Sequence, residues 1–326
     1  MMSAMRATTP QPAFCWPPHG PGVARIRLED LLALEAAGSR LALRRTGSRE
    51  LGEGLSRRLR ARGLSYAESR PYQTGDDARS IDWRVTARTA RTHTKLFDEE
   101  REQPVWICVD LRDSMHFATR VAFKSVFAAH VAALLAWSAL AAGDRVGCLV
   151  WTGAGPVARP PRRGRPALLA ALTLLARADL AASAASHHGD RRIPATAAGL
   201  IAAAGSRTRL HVLSDFIGFD DDHYDELRSL AHRHTLCLAQ VVDPFEESPP
   251  ALTGAWLTDA SGHSARFDPG SVARRADAPG RLRARLETLA AETGAGCLGV
   301  LTTDPPLGVA ERMLGGAGAR GARGSR

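Results

Sequence analysis

From residue 104 onward, short apolar runs alternate with longer stretches of helical spacing. PVWICVD (104–110) is nearly continuous in apolar residues, as expected for a strand buried on both faces. A polar turn (Leu111 to Met115) leads into a helical stretch that runs to Ala142 and is closed by Gly143-Asp144, and RVGCLVW (145–151) reads as a second buried strand. Arg159 to Arg165 reads as a Pro/Arg loop, with Pro166 suited to the first turn of the next helix. Ser183 to Arg192 reads as a polar loop and Ala195 to Ala204 as a helix ended by Gly205. TRLHVLSDF (208–216), HTLCLAQVVD (234–243) and GCLGVLTT (296–303) supply three more strands, separated by helices around Tyr224–His232 and from about Val272 to Thr293. Such alternation implies an α/β fold, a doubly wound, mainly parallel, Rossmann-like sheet. The functional crevice of such sheets lies beyond the carboxyl ends of the strands.

The remainder is organised around this domain, taken as residues 101–310. Residues 1–24 are rich in Pro and Gly and predict a disordered arm, and residues 311–326 a disordered basic tail. Residues 25–100 are expected to form a small N-terminal adjunct, opening on an amphipathic helix from Arg25 to about Leu43 through Ile26, Leu28, Leu31, Leu32 and Leu34. The longest apolar run, Val126 to Ala142, is interrupted by His130 and Ser138. It falls short of the ~20 residues that cross a bilayer, so a buried helix is expected and no membrane span.

Charge narrows the classes less than it first suggests. The 326 residues carry 43 Lys and Arg against 34 Asp and Glu, hence 43 − 34 = +9, but the only lysines are Lys95 and Lys124. An arginine-only excess in an Ala- and Gly-rich chain reflects a compositional bias, and Arg320, Arg323 and Arg326 fall in the tail. The basic loop RPPRRGR (159–165) has no interleaved aromatics, so no specific nucleic acid is expected as a partner. The five cysteines (Cys15, Cys108, Cys148, Cys237, Cys297) are odd in number, form no CxxC and mostly sit in apolar runs, which points to a reducing, cytoplasmic setting. The N-terminus has no sustained apolar core and does not read as a signal peptide.

Candidate chemistry collects at two strand ends. VDLRDSM places Asp110 and Ser114 after the first strand of the domain, VLSDF places Asp215 after the third, and Thr196 precedes the helix leading into that strand. Upstream, GDDARSIDWR packs three acids and two arginines into one segment. It reads as a docking surface, or as an ion-paired turn in which Arg79 and Arg88 neutralise Asp76, Asp77 and Asp82 while Trp83 anchors the segment in the core. A two-metal hydrolase, a nuclease or peptidase, is the enzymatic alternative, built on Asp76, Asp77, Asp82 and Glu99 with His93 or Lys95 nearby. His187-His188-Gly189-Asp190 has no second ligand cluster at metal-site spacing. GxSxG, the Walker A motif and a strand-linked GxGxxG are all absent, which argues against a serine hydrolase or an ATPase.

An Asp-x-Ser-x-Ser turn, a Thr on a second loop and a later Asp make up the metal-ion-dependent adhesion site of von Willebrand factor A domains, and residues 104–303 resemble such a domain. The segment Tyr66 to Arg88 narrows the resemblance to the bacterial family DUF58, through Arg70, Tyr72, Gly75, Asp76, Asp77, Arg79, Ile81, Asp82, Trp83 and Ala87-Arg88. The match continues through Phe97, Glu100, Asp110, Ser114-Met115, Gly143-Asp144, Ser214-Asp215-Phe216 and Asp243-Pro244. The resemblance implies a non-enzymatic adaptor that works with a MoxR-type AAA+ ATPase in maturing an unidentified client, and Mg²⁺ at Asp110, Ser114, Thr196 and Asp215. One residue departs from the pattern: Arg112 stands where the first Ser of the motif belongs. A guanidinium offers no acceptor to a hard cation. Arg112 is therefore expected either to pair with Asp110 and Asp215 in place of the metal or to swing outward. Metal binding is expected to be weakened or lost, with Arg112, Asp110, Ser114 and Asp215 as the partner-binding set and no cofactor.

Overall fold

A computed structural model describes residues 16–17, 23–42, 64–73, 81–99, 103–184, 208–247, 256–258, 264–266 and 269–316. The Ala195–Ala204 helix expected from sequence, and with it Thr196, lie outside the described residues, as do Gly75, Asp76, Asp77 and Arg79. The chain divides into two compact units, Met1–Arg45 together with Gln103–Arg326, and Thr46–Glu102.

The helix expected near the N-terminus goes with the sheet unit. It begins as α1 (Leu28–Ala33) and resumes over 35–42. Leu31, Leu34 and Leu41 are buried. At ~1.5–3 kcal/mol for each large aliphatic side chain removed from water, these anchors outweigh what so short a helix holds by propensity. Trp137 donates its indole N–H to the Leu31 carbonyl at 2.9 Å. At Gly38 an added Cβ would lie 2.5 Å from the Trp137 Cβ, so only glycine permits this approach.

The smaller unit pairs β1 (Leu64–Pro71) antiparallel with β2 (His93–Glu99), and the connection carries the helix α2 (Trp83–Thr89). In the larger unit β3 (Pro104–Asp110) is followed by α3 (Lys124–Ala141), β4 (Arg145–Thr152), β5 (Gly155–Arg162) and α4 (Arg165–Ala184). After the undescribed stretch come β6 (Arg209–Ser214), α5 (Asp221–Arg233), β7 (Thr235–Val242) and the short α6 (Pro244–Glu247). A small antiparallel pair, β8 (Trp256–Thr258) with β9 (Ser264–Arg266), precedes α7 (Pro269–Thr293), β10 (Gly296–Leu301) and α8 (Pro306–Gly316).

Six strands form one sheet in the order β10-β7-β6-β3-β4-β5, parallel except for the edge strand β5. This is the α/β doubly wound architecture that the alternating pattern predicts. Counted along the sheet unit, the order is the doubly wound 3-2-1-4-5-6, which reverses direction between β3 and β6. Every residue of β3 is buried, which is why its sequence lacks polar alternation. Helix α3 is apolar all round, and its residues from Lys124 to Ala139 are all buried. It is long and apolar enough to cross a membrane by length and composition, and here it fills the core.

Two secondary-structure assignments made from the sequence are corrected by the structure. Residues 159–162, expected to be loop, complete β5. An edge strand tolerates proline because its outward N–H needs no ladder partner, so Pro156, Pro160 and Pro161 fit and also block further pairing. Residues 311–316, expected to be part of a disordered tail, belong to α8, where Ala310 and Met313 are fully buried. The Gly-rich sequence concealed an amphipathic turn held by packing.

Candidate functional site at the sheet's switch point

Asp110 ends β3 and Ser214 ends β6, the two neighbouring strands at which the winding reverses. Val109 lies opposite Leu213 in register, so the polar residues that follow emerge side by side at the carboxyl rim. The Asp110 carboxylate is fully buried and surrounded by donors. Its Oδ1 accepts from the Arg112 backbone N–H and from Arg112 Nε, each at 2.9 Å. Its Oδ2 accepts from Arg112 Nη2 and from Ser214 Oγ, each at 2.6 Å. Arg112 therefore grips Asp110 through two parallel N–H···O bonds, the strongest form of carboxylate recognition. Of the two positions open to this guanidinium from sequence, it takes the inward one, with 7% of the side chain exposed.

Burial works against the Arg112 charge, but the hydrogen bond to Asp110 and the fields of Asp110 and Asp215 outweigh it and raise its pKa above the ordinary value. The Phe219 ring lies beneath the guanidinium, 5.7 Å from centroid to Cζ.

Asp215 has a separate cation. Lys124 Nζ donates to Asp215 Oδ2 at 2.9 Å and to Glu246 Oε1 at 2.7 Å, with no exposure of the lysine side chain. Desolvation opposes its charge, yet Asp215 and Glu246 together raise its pKa. Asp215 Oδ1 accepts from the Ile217 N–H at 3.0 Å. Glu246 in turn accepts from the Asp243 N–H at 2.9 Å. The Asp243 carboxylate accepts from the Thr119 hydroxyl, from the Thr119 N–H at 3.0 Å and from Thr302 Oγ1 at 3.3 Å. A chain of hydrogen-bonded groups thus runs along the rim from the end of β6 to the end of β10, beside the Asp110–Arg112 pair.

Just after Asp215 the backbone bends sharply. Phe216 has φ 59°, a left-handed conformation that a bulky residue adopts only when its surroundings impose it. Its N–H donates to Ser214 Oγ at 2.8 Å, its ring packs on Phe219, and the turn leaves the next residue, Ile217, 38% exposed at the rim.

The residues singled out from sequence are thus partly brought together. Asp110, Arg112 and Asp215 share the switch point. Ser114 sits in the 3₁₀ turn Asp113–Met115 and is half-buried, and among the described residues its hydroxyl is not a donor to either aspartate. Lys124, Glu246 and Asp243 were missed as site residues. The legible signals were Lys124, a rare lysine opening a long apolar run, and Asp243-Pro244, which the family resemblance included without assigning it to the site. Among the described residues no group of three or more His, Cys, Asp or Glu could hold a metal ion. The donor set does not fit one either, because both Asp110 oxygens are occupied and a guanidinium nitrogen stands 2.6 Å away.

In the smaller unit, Asp82 is buried and caps α2, accepting from the Arg84 and Val85 N–H groups at 3.2 Å each. Trp83 is corrected: it does not anchor a core but begins the helix with 69% of its surface exposed. The buried place beside it is taken by Asp82, whose carboxylate is needed at the helix start. Arg88 is exposed on the same helix, Tyr72 is exposed at the end of β1, and Arg70 lies within β1.

Three of the four described cysteines, Cys108, Cys148 and Cys237, are buried free thiols, and burial pushes Cys148 and Cys237 up to about 12, so they behave as packing residues.

Residues 68–287 match the family model described as protein of unknown function DUF58. Uncharacterized proteins of Mycobacterium bovis and Mycobacterium tuberculosis are each 32% identical over 198 residues, which is 61% of this chain. The chain spans 61% of the length of these curated relatives.

Proposed function

We propose, from the premise that the chain belongs to the DUF58 family, that it is a non-enzymatic protein-interaction module whose strand-end crevice has replaced a metal ion by internal cations. The doubly wound order and the meeting of Asp110 with Ser214-Asp215 at its switch point support a von Willebrand factor A-like reading. The observation that carries the proposal is the pairing itself. Arg112 occupies Asp110 and Lys124 occupies Asp215, so the two acids that would hold Mg²⁺ already have cations. A divalent ion there would have to displace a bidentate ion pair and then sit against the released guanidinium.

A catalytic role finds little support in the same geometry. The rim acids are consumed by structural partners, and of the acids in the hydrolase reading Asp82 is spent as a helix cap.

Recognition then falls to the exposed margin of the crevice. Asp113, Thr119 and Arg120 are exposed there, and Ile217 offers an apolar contact. The partner is a MoxR-type AAA+ ATPase, a choice that rests on the family resemblance.

Two measurements test this reading. Isothermal titration with Mg²⁺ and Mn²⁺ is expected to show no stoichiometric binding; tight binding abolished by Asp110→Ala would overturn the metal-free reading. Purified chain is expected to retain a MoxR-type ATPase on size exclusion, and Ile217→Glu to release it with the fold unchanged. Equal retention by that variant would remove the crevice from the proposal.

A further inference from the structure

The small unit displays a second surface, which the crevice does not use. Asp82 caps the first turn of α2, and its own N–H donates to the His93 carbonyl at 2.8 Å. His93 N–H returns a bond to Thr86 Oγ1 at 3.0 Å, and Ile81 forms a bridge with Thr94. These bonds fix the helix on the β1–β2 hairpin by its Val85 and Thr86 side, where both residues are half-buried. The opposite face is left to solvent.

That face has a definite composition. Trp83 and Ala87 are one turn apart, as are Arg84 and Arg88, and Arg91 follows just beyond the helix; all five are exposed. Arg84 and Arg88 are like charges at i, i+4 spacing, an arrangement that disfavours an isolated helix by a few tenths of a kcal/mol. Among the described residues none of these three arginines has an acidic partner within ion-pair distance. An exposed indole flanked by unpaired guanidinium groups matches the residue types that dominate binding energy at protein interfaces.

We infer that this face is a docking surface for an acidic protein segment, one that places carboxylates on Arg84, Arg88 and Arg91 and an apolar side chain on Trp83. Charge complementarity selects the partner's sign. Size selects its class: seven helical residues at 1.5 Å each span ~10 Å, enough for two or three carboxylates but short for the several phosphates that a nucleic-acid track engages. The inference is independent of the crevice, whose central cations, Arg112 and Lys124, are turned inward.

The test uses fluorescence anisotropy on the full chain with three labelled probes: the peptide EELLEDLLEE, its lysine counterpart KKLLKKLLKK and a twenty-nucleotide oligothymidylate. The acidic peptide is expected to bind, more weakly at higher salt, and to weaken by about tenfold in Trp83→Ala and in the double variant Arg84→Glu/Arg88→Glu. The double variant is also expected to gain binding of the lysine peptide, which distinguishes a switched surface from a damaged one. The inference is overturned if the acidic peptide fails to bind, if both variants bind it as the parent does, or if the oligonucleotide binds more tightly and displaces it. None of these outcomes bears on retention of an ATPase by the crevice, which is read with Ile217→Glu.

Discussion

The two charged regions of this chain use the same residue types in opposite ways. At the switch point, Arg112 and Lys124 are buried and each is bonded to a carboxylate. On α2, Arg84 and Arg88 are exposed, with no acid paired to them among the described residues. A buried cation is kept charged by its partners and cannot be withdrawn without orphaning them. An exposed cation contributes little to the fold and remains available to something outside it. Charge density alone therefore does not mark a binding site. What matters is whether the charge is already spent.

The largest effect is expected from removing the most deeply buried cation. Lys124→Met leaves Asp215 and Glu246 without their shared partner and is expected to destabilise the protein by about 3–5 kcal/mol in urea unfolding. A loss below about 1 kcal/mol would mean that Lys124 does not hold Asp215 and Glu246 together in solution.

Asp110→Asn is expected to cost about 2–4 kcal/mol in the same assay, because Arg112 keeps its charge and loses a bidentate acceptor. Adding Arg112→Met should restore most of that loss, since a well-packed apolar pair often equals a buried ion pair. Full additivity of the two changes would contradict the coupling that the geometry shows.

Much of the architecture was legible because parallel strands buried on both faces read as unbroken apolar runs. β3, β4, β6 and β7 announced themselves in that way, and with them the strand ends that carry Asp110 and Asp215; β10, at the sheet edge and only partly buried, is apolar enough to read as a strand all the same. The charge on Arg112 was enough to foresee a conflict with a metal ion, and the choice of its inward position needed coordinates. The pairing of Lys124 with Glu246 was illegible for another reason: the two lie 122 residues apart, and nothing local in either sequence announces the other. Their pairing is a product of the sheet order, which brings the start of α3 to the end of β7. Trp83 misled because indoles are usually buried, and the competing demand of Asp82 for the helix cap was not visible.

A smaller effect separates the regions by pH. His116, just beyond the 3₁₀ turn, contacts Asp179 through Nε2 at 3.2 Å and the Arg112 carbonyl through Nδ1 at 3.3 Å. Burial lowers its pKa, but the hydrogen bond and field of Asp179, the Arg112 carbonyl and Asp113 raise it overall above 6.5. A histidine raised on folding contributes its stability in full below its unfolded value and loses it as pH climbs through the folded value. Stability is therefore expected to decline as pH rises above about 6.5, and His116→Asn to flatten that decline. An unchanged slope in the variant would assign the pH dependence to other groups.

The smallest change is expected at α2, and its smallness is informative. Arg84→Ala and Arg88→Ala each remove an exposed cation and relieve a like-charge neighbour, so unfolding free energies should stay within about 0.5 kcal/mol of the parent. Trp83→Ala should fall in the same range, because an indole with 69% of its surface exposed has little burial to lose. A side chain of that size and apolarity held in water by a capped and hydrogen-bonded helix gains nothing for the isolated fold. If Trp83→Ala instead destabilises by more than about 2 kcal/mol, the indole is covered within the protein itself. The contrast between a spent crevice and an available helix face would then fail at its second term.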